Sequence, residues 1–270
     1  VSVIESFRHH DLEALRVGRL NMGVNSSFVV YRLHGTLVDC GPSNQWKHVK
    51  RFVQSGPMRQ LLLTHHHEDH SGNAGAIQQL TEIQPLAPPA TVEILRQKFK
   101  VPGIRRFVWG EPYWADAAPL PEELHIGKEP VQALFSPGHT VDMTCYLLPE
   151  RGWLFSADLY IANYLKMLHN GEHLPTLLNS IRDILAQDFD TILCPHRGIV
   201  ESGHLRLREK YEFLLNLASN AQDLRRQGYS PKEVTRRLLG KEPVLAIITG
   251  FEFSKQRLIR ASLKVNLNDH

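Results

Sequence analysis

Leu61-Leu62-Leu63-Thr64-His65-His66-His67-Glu68-Asp69-His70-Ser71-Gly72-Asn73 is the stretch that decides the fold. The three leucines read as a short buried strand, and Ser71-Gly72-Asn73 has the character of a helix start. The histidines and Asp69 therefore occupy a tight turn between a strand and a helix, where side chains converge on one point. Imidazole and carboxylate are the usual ligands of zinc, iron and manganese. His65, His67, Asp69 and His70 are the candidate ligands, because a solvated polar loop has no need of this alternation.

Four further residues close apolar runs in the same manner. Asp39 ends Thr36–Val38 just ahead of Gly41, and His139 follows Val131–Phe135 within Ser136-Pro137-Gly138-His139-Thr140. Asp158 follows Trp153-Leu154-Phe155, and His196 follows Thr191–Cys194. A residue at the end of a buried strand is held on a rigid support, and several such ends gather distant side chains at one sheet edge. Asp39 reads as a residue that steadies a histidine or the turn rather than as a ligand. Singly, each is an ordinary turn or capping residue. Jointly, with order and strand context, they point to a metal centre.

Composition sets the frame. The chain has 270 residues, 42% hydrophobic and 22% charged, enough for a large globular core. No run approaches the roughly 20 apolar residues of a membrane span, so no membrane partner is expected. Val1-Ser2-Val3-Ile4-Glu5 is not a basic segment leading into an apolar run, so no signal peptide is expected either. The three cysteines, Cys40, Cys145 and Cys194, are odd in number and lack CxxC spacing. A disulfide framework is not expected, and a reducing, cytoplasmic setting is. Cys194 reads as a small buried residue closing its strand rather than as a ligand. The net charge is +3; residues 201–270 hold 13 Lys/Arg against 8 Asp/Glu, and residues 1–200 hold 18 against 20. Exposed helix faces carry such an excess routinely, so a nucleic-acid partner is not expected.

Along the chain, residues 1–40 read as strands, with His34-Gly35 as a hairpin turn. Helices are predicted at Trp46–Val53, Ala74–Leu80, Thr91–Lys98 and Pro175–Gln187, and strands at Arg59–Leu63, near Ile83, and at Val131–Phe135, Cys145–Leu148, Trp153–Phe155 and Thr191–Cys194. Four prolines between 102 and 121 argue for an irregular, aromatic and basic loop over 99–121. The last 70 residues read as helical. Ser230-Pro231-Lys232-Glu233 is a capping box and Ser254 a cap. The predicted organisation is a domain over 1–200 followed by a helical extension over 201–270. The apolar faces of 205–224 and 244–263 point to a homodimer.

The ligand pattern resembles the metallo-β-lactamase fold superfamily. Its HxHxDH signature stands as His65, His67, Asp69 and His70, and its later motifs are matched in order by His139, Asp158 and His196, with Asp39 and Gly41 for the first motif. The resemblance covers roughly residues 20–200. It implies an α/β (α+β) architecture, a four-layer αββα sandwich with metals at one edge of the paired sheets. It also implies two divalent ions, zinc first, with iron or manganese as alternatives. Carried over by position, His65, His67 and His139 bind one ion, Asp69, His70 and His196 the other, and Asp158 bridges.

Departures select a branch. Secreted β-lactamases place a cysteine near the second metal and lack the Asp-His pair; flavin-dependent di-iron members place glutamate where this chain has His67. What remains resembles the glyoxalase II, thioesterase and lactonase-like group. The implied activity is a hydrolase in which a metal-bound hydroxide attacks the ester, thioester or lactone carbonyl of a small-molecule substrate. Asp69 would bind metal and also orient the nucleophile or carry a proton to the leaving group. The alternatives are a phosphodiesterase or RNA-processing nuclease, a mono-iron persulfide dioxygenase, and a regulatory metal-binding protein. Trp109, Tyr113, Trp114, Tyr160 and Tyr164 are the candidate walls for substrate.

Overall fold

The computed structural model describes residues 3–20, 26–248 and 250–270. Residues 21–25, within the region read as strands, lie outside the described residues. The chain divides into two compact units. The first comprises Val1–Phe135, Asp142–Ile161 and Phe189–Ser202; the second comprises Ser136–Val141, Ala162–Asp188 and Gly203–His270.

The first unit carries two sheets. The seven-stranded sheet runs in chain order: β1 (Val3–His9), β2 (Leu12–Gly18), β3 (Phe28–Leu33), β4 (Thr36–Val38), β5 (Gln60–Leu62), β6 (Leu86–Ala87) and β7 (Ala118–Pro119). Its helices are α1 (Trp46–Gln54), α2 (Ala74–Thr81), α3 (Pro89–Gln97) and α4 (Gly103–Trp109). The six-stranded sheet contains β8 (Leu124–Ile126), β9 (Glu129–Phe135), β10 (Thr144–Leu148), β11 (Trp153–Phe155), β13 (Thr191–Cys194) and β14 (Gly198–Val200), ordered β14-β13-β11-β10-β9-β8.

The unbroken apolar run before the histidines has a simple cause. Leu61 and Leu63 pack with α1, α2 and α3, while Leu62 packs into the core between the two sheets with Tyr31, Tyr146 and Phe155. Strand side chains alternate, so a strand covered on both faces needs apolar residues at every position. The turn between β3 and β4 follows equally local rules: His34 and Gly35 have φ of 51° and 84°, the positive pair that a two-residue hairpin requires.

Strand direction then places the site. β4 and β5 run parallel, as do β11 and β13. Asp39 follows β4, the histidine run follows β5, Asp158 follows β11 and His196 follows β13. Parallel neighbours release their C-terminal ends on one side, the edge at which open α/β sheets bind ligands.

Two expectations are corrected here. The strand expected near Ile83 lies at Leu86–Ala87, beyond Pro85. The segment 99–121 is not irregular throughout, for α4 occupies Gly103–Trp109. Pro102 is its N-cap and Gly110 ends it with φ 94°. The prolines bracket this helix rather than interrupt it, since proline is tolerated at a helix start.

The second unit holds α5 (Leu174–Leu185), α6 (Gly203–Arg226), α7 (Pro231–Leu238), α8 (Val244–Ile248) and α9 (Lys255–Ser262), with β12 (Leu168–His169) paired to β15 (Phe253–Ser254). α6 packs on α5, α7 and α9. The apolar stripe of α6, including Leu207, Leu214 and Ala218, is buried along with Leu258 and Ile259 of α9, so this stripe is satisfied within the chain. Ser230 and Glu233 form the reciprocal capping box of α7, and Ser254 caps α9 by accepting from the Gln256 and Arg257 amides.

Candidate metal centre

The turn after β5 is built around Thr64. Its amide donates to Asp39 Oδ1 and its hydroxyl to Asp39 Oδ2, both at 2.8 Å. Asp39 is held in the left-handed region, φ 57°, a conformation that asparagine and aspartate enter more readily than other side-chain-bearing residues. Its Oδ2 also accepts from His70 Nδ1 at 2.7 Å. Asp39 thus uses both oxygens to fix the turn and one histidine ring.

Hydrogen bonds set the tautomers. His70 Nδ1 faces a carboxylate, so it carries a proton, and Nε2 is the atom turned toward Asp158 and a metal. Thr64 gives its proton to Asp39, so His65 Nδ1, 3.1 Å from Thr64 Oγ1, is the donor there. His196 Nδ1 donates to the Ser27 carbonyl at 3.0 Å. In the second unit, His139 is buried and its Nδ1 donates to Glu172 at 2.8 Å. Each of these rings presents Nε2 as a ligand atom, and second acceptors of this kind orient metal-binding histidines.

Two groups of ligand atoms result in the first unit. His65, His67 and Asp158 offer atoms within 4.8 Å of one another, and so do Asp69, His70 and His196. All six residues are buried. Asp158 links the groups: its Oδ1 lies 3.3 Å from both His70 Nε2 and His196 Nε2. Asp69 Oδ2 lies 3.5 Å from His196 Nε2. His66 turns away from both groups, donating through its amide and Nδ1 to the buried Asp142.

The donor set fits divalent cations. His70 Nε2 is buried and has no hydrogen bond of sound geometry, although Asp158 lies near. Burial alone would lower the proton affinity of His70, but Asp39, Asp158 and Asp69 outweigh it and hold the ring well above the usual histidine range. His196 behaves alike: burial lowers its value, while Asp158 and Asp69 raise it to a net increase. Three carboxylates facing buried imidazoles attract positive charge, which a metal ion supplies in place of protons.

Several supporting residues carry no signal in a single sequence. Tyr31 of the first sheet donates to the Cys194 carbonyl at 2.8 Å, and Tyr146 of the second sheet donates to the Leu63 carbonyl at 2.6 Å. These reciprocal bonds tie down the strand ends just before His196 and His65. Asn73 Nδ2 donates to the carbonyls of Cys40, Gly41 and Pro42, which staples the Asp39 turn to the start of α2. Glu68, inside the histidine run, is buried and held by Arg105. Burial pushes its carboxyl above the usual range, and Arg105 opposes that rise. Tyr31 and Tyr146 alone leave a trace, since a tyrosine on a buried strand must find a partner for its hydroxyl.

The aromatic candidates divide. Trp109 is 8% exposed and belongs to the core beneath the first sheet, with its ring centroid 6.2 Å from that of His196. Tyr160 is 2% exposed, buried like the candidate ligands. Trp114 packs against the first core and edge-on to Phe99. Tyr113 is exposed, and Tyr164, in the second unit, is exposed with an edge contact to Phe213.

Comparison with known proteins bears on the family and the fold. The sequence model of the metallo-beta-lactamase superfamily matches residues 20–196. A hydroxyacylglutathione hydrolase of Mesorhizobium japonicum is 30% identical over 151 residues, 54% of this chain and 51% of that protein. One from Legionella pneumophila is 28% identical over 126 residues, 45% of this chain and 42% of that protein. The chain therefore spans about half the length of the curated relatives it matches. A metallo-beta-lactamase family protein of Thermus thermophilus superposes with TM-score 0.71 at 17% identity, covering 95% of this chain and 94% of that one. A metallo-beta-lactamase from Pontibacter korlensis gives 0.63 at 16%, covering 79% and 100%. At these identities the solved structures speak to the fold alone.

Proposed function

The chain belongs to the metallo-beta-lactamase superfamily, and on that premise we propose that it is a dinuclear metal-dependent hydrolase of an ester, thioester or lactone. The observation that carries the reading is the position of Asp158, 3.3 Å from both histidines of the second ligand group while belonging to the first. A carboxylate shared in this way suits two ions, because it reaches both ligand groups at once. We assign His65, His67 and His139 to one ion, Asp69, His70 and His196 to the other, and Asp158 to both.

Two divalent ions supply Lewis acidity toward a carbonyl oxygen and acidify water at neutral pH. The chain's own residues hold and aim that chemistry. His65, His70, His139 and His196 present Nε2 because Thr64, Asp39, Glu172 and the Ser27 carbonyl engage their Nδ1 atoms. Asp69, whose Oδ2 lies 3.5 Å from His196 Nε2, would orient the attacking water and carry its proton to the leaving group. The relatives named hydroxyacylglutathione hydrolase make an acyl thioester the first substrate class to assay. The buried thiols of Cys40, Cys145 and Cys194 suit a reducing, cytoplasmic setting, and no described helix is long and apolar enough to cross a membrane.

The test is hydrolysis of a panel of small thioesters and lactones by chelator-stripped protein before and after zinc, iron or manganese is restored. Turnover is expected only after metal is restored, and it should fall at least about a hundredfold in Asp69→Asn. Turnover by metal-free His67→Ala protein, or none by any reconstituted form, would refute the reading.

A further inference from the structure

Glu68 lies between two candidate ligands, His67 and Asp69, yet it belongs to neither ligand group. It is 1% exposed and takes two parallel bonds from Arg105, Nε to Oε1 at 2.7 Å and Nη2 to Oε2 at 2.5 Å. A buried carboxylate is costly unless it is paired. The planar guanidinium fork fixes its partner in orientation as well as in charge. The pair therefore fastens α4, where Arg105 resides, to the turn that carries His65 to His70.

The rest of α4 and the chain beyond it are fastened to the same region. Asn44 Nδ2 donates to the Val108 carbonyl at 2.7 Å. Gly110 approaches so closely that an added Cβ would lie 2.2 Å from Ser43 Oγ. Beyond α4, the Tyr113 amide donates to the Gly72 carbonyl and the Gly75 amide to the Tyr113 carbonyl, both at 2.8 Å. The last residue of α4 is Trp109, whose buried ring rests 6.2 Å from His196 between centroids. Phe28 meets His196 edge-on as well, at 5.7 Å. A continuous path thus runs from the turn after β5, through Glu68, Arg105 and α4, to the His196 ring at the end of the other sheet.

We propose that the Glu68–Arg105 pair is a positioning device of the metal centre: it seats α4 so that Trp109 holds the His196 imidazole toward Asp69 and His70. The effect belongs to the second ligand group, because the ligand ring that Trp109 meets is that of His196. The inference rests on the dinuclear reading proposed above.

The experiment is a titration of stripped protein with Zn(II) against a chromogenic chelator, which resolves the two stepwise affinities. His196→Ala identifies the step that belongs to the second group. In Arg105→Ala that step is expected to weaken about tenfold or more while the other holds its wild-type value. Arg105→Lys keeps the charge without the fork and should fall between. Trp109→Leu leaves the ion pair intact and should reproduce the same selective loss, which guards against a misfolded Arg105→Ala. Wild-type affinities for both ions in Arg105→Ala and Trp109→Leu would overturn the positioning role alone. So would an Arg105→Ala that loses both steps together, with its circular dichroism, while Trp109→Leu stays normal. A wild-type protein that takes up no zinc would overturn the dinuclear reading and this inference with it.

Discussion

At the scale of single residues, Asp39 binds three groups around the site with one carboxylate. Asp39→Ala removes the acceptor of the Thr64 amide, the Thr64 hydroxyl and His70 Nδ1 at once. It is expected to weaken metal binding about 10- to 100-fold and to cost about 1–3 kcal/mol in urea unfolding. Gly72 makes a different demand. A Cβ there would sit 2.2 Å from the Glu68 carbonyl oxygen and 2.9 Å from that of Gly41. Gly72→Ala must therefore displace backbone next to the ligands, and we expect a loss of about 2 kcal/mol or more by the same measurement. The ligand-type residues are legible in the sequence because imidazole and carboxylate at the ends of apolar runs are chemically conspicuous. Their supports are not. Thr64 looks like any strand-end threonine, and Arg105 lies 37 positions from Glu68. Only folding pairs them.

At the scale of elements, the strands and helices that feed the site follow local pattern closely, and the misses have physical causes. Leu61–Leu63 announces a strand because both of its faces are covered. α4 escapes notice because its prolines suggest breakage, whereas one serves as its N-cap and the next lies past its end. β6 is two residues long and takes its place from pairing with β5 and β7 rather than from its own composition. The cross-sheet tyrosines give a test at this scale. Tyr146→Phe leaves the Leu63 carbonyl without its 2.6 Å partner inside the core. The expected cost is about 1–3 kcal/mol in denaturant unfolding, with metal content retained. An unchanged midpoint would show that the tie between the sheets contributes nothing.

At the scale of the whole molecule, acid stability and metal content are the measurable properties. Arg151 bonds Asp11 and Glu129 on the first unit. The Arg151 hydrogen bond holds both carboxyls below their ordinary values, against the opposing effect of burial. Depressed carboxyls add stability above their unfolded pKa and lose it as pH falls through the folded one. Partial exposure keeps the effect small. Arg151→Gln should therefore flatten the fall of the urea midpoint between about pH 5 and pH 2, while an acid limb as steep as wild type would remove the network from the explanation. The central claim, two metal ions held by this chain's histidines and aspartates, is tested most directly by elemental mass spectrometry of metal-reconstituted protein beside His196→Ala. Two ions per chain in the wild type and one in the variant are expected. A single ion in both, or none in the wild type, would contradict a dinuclear hydrolase.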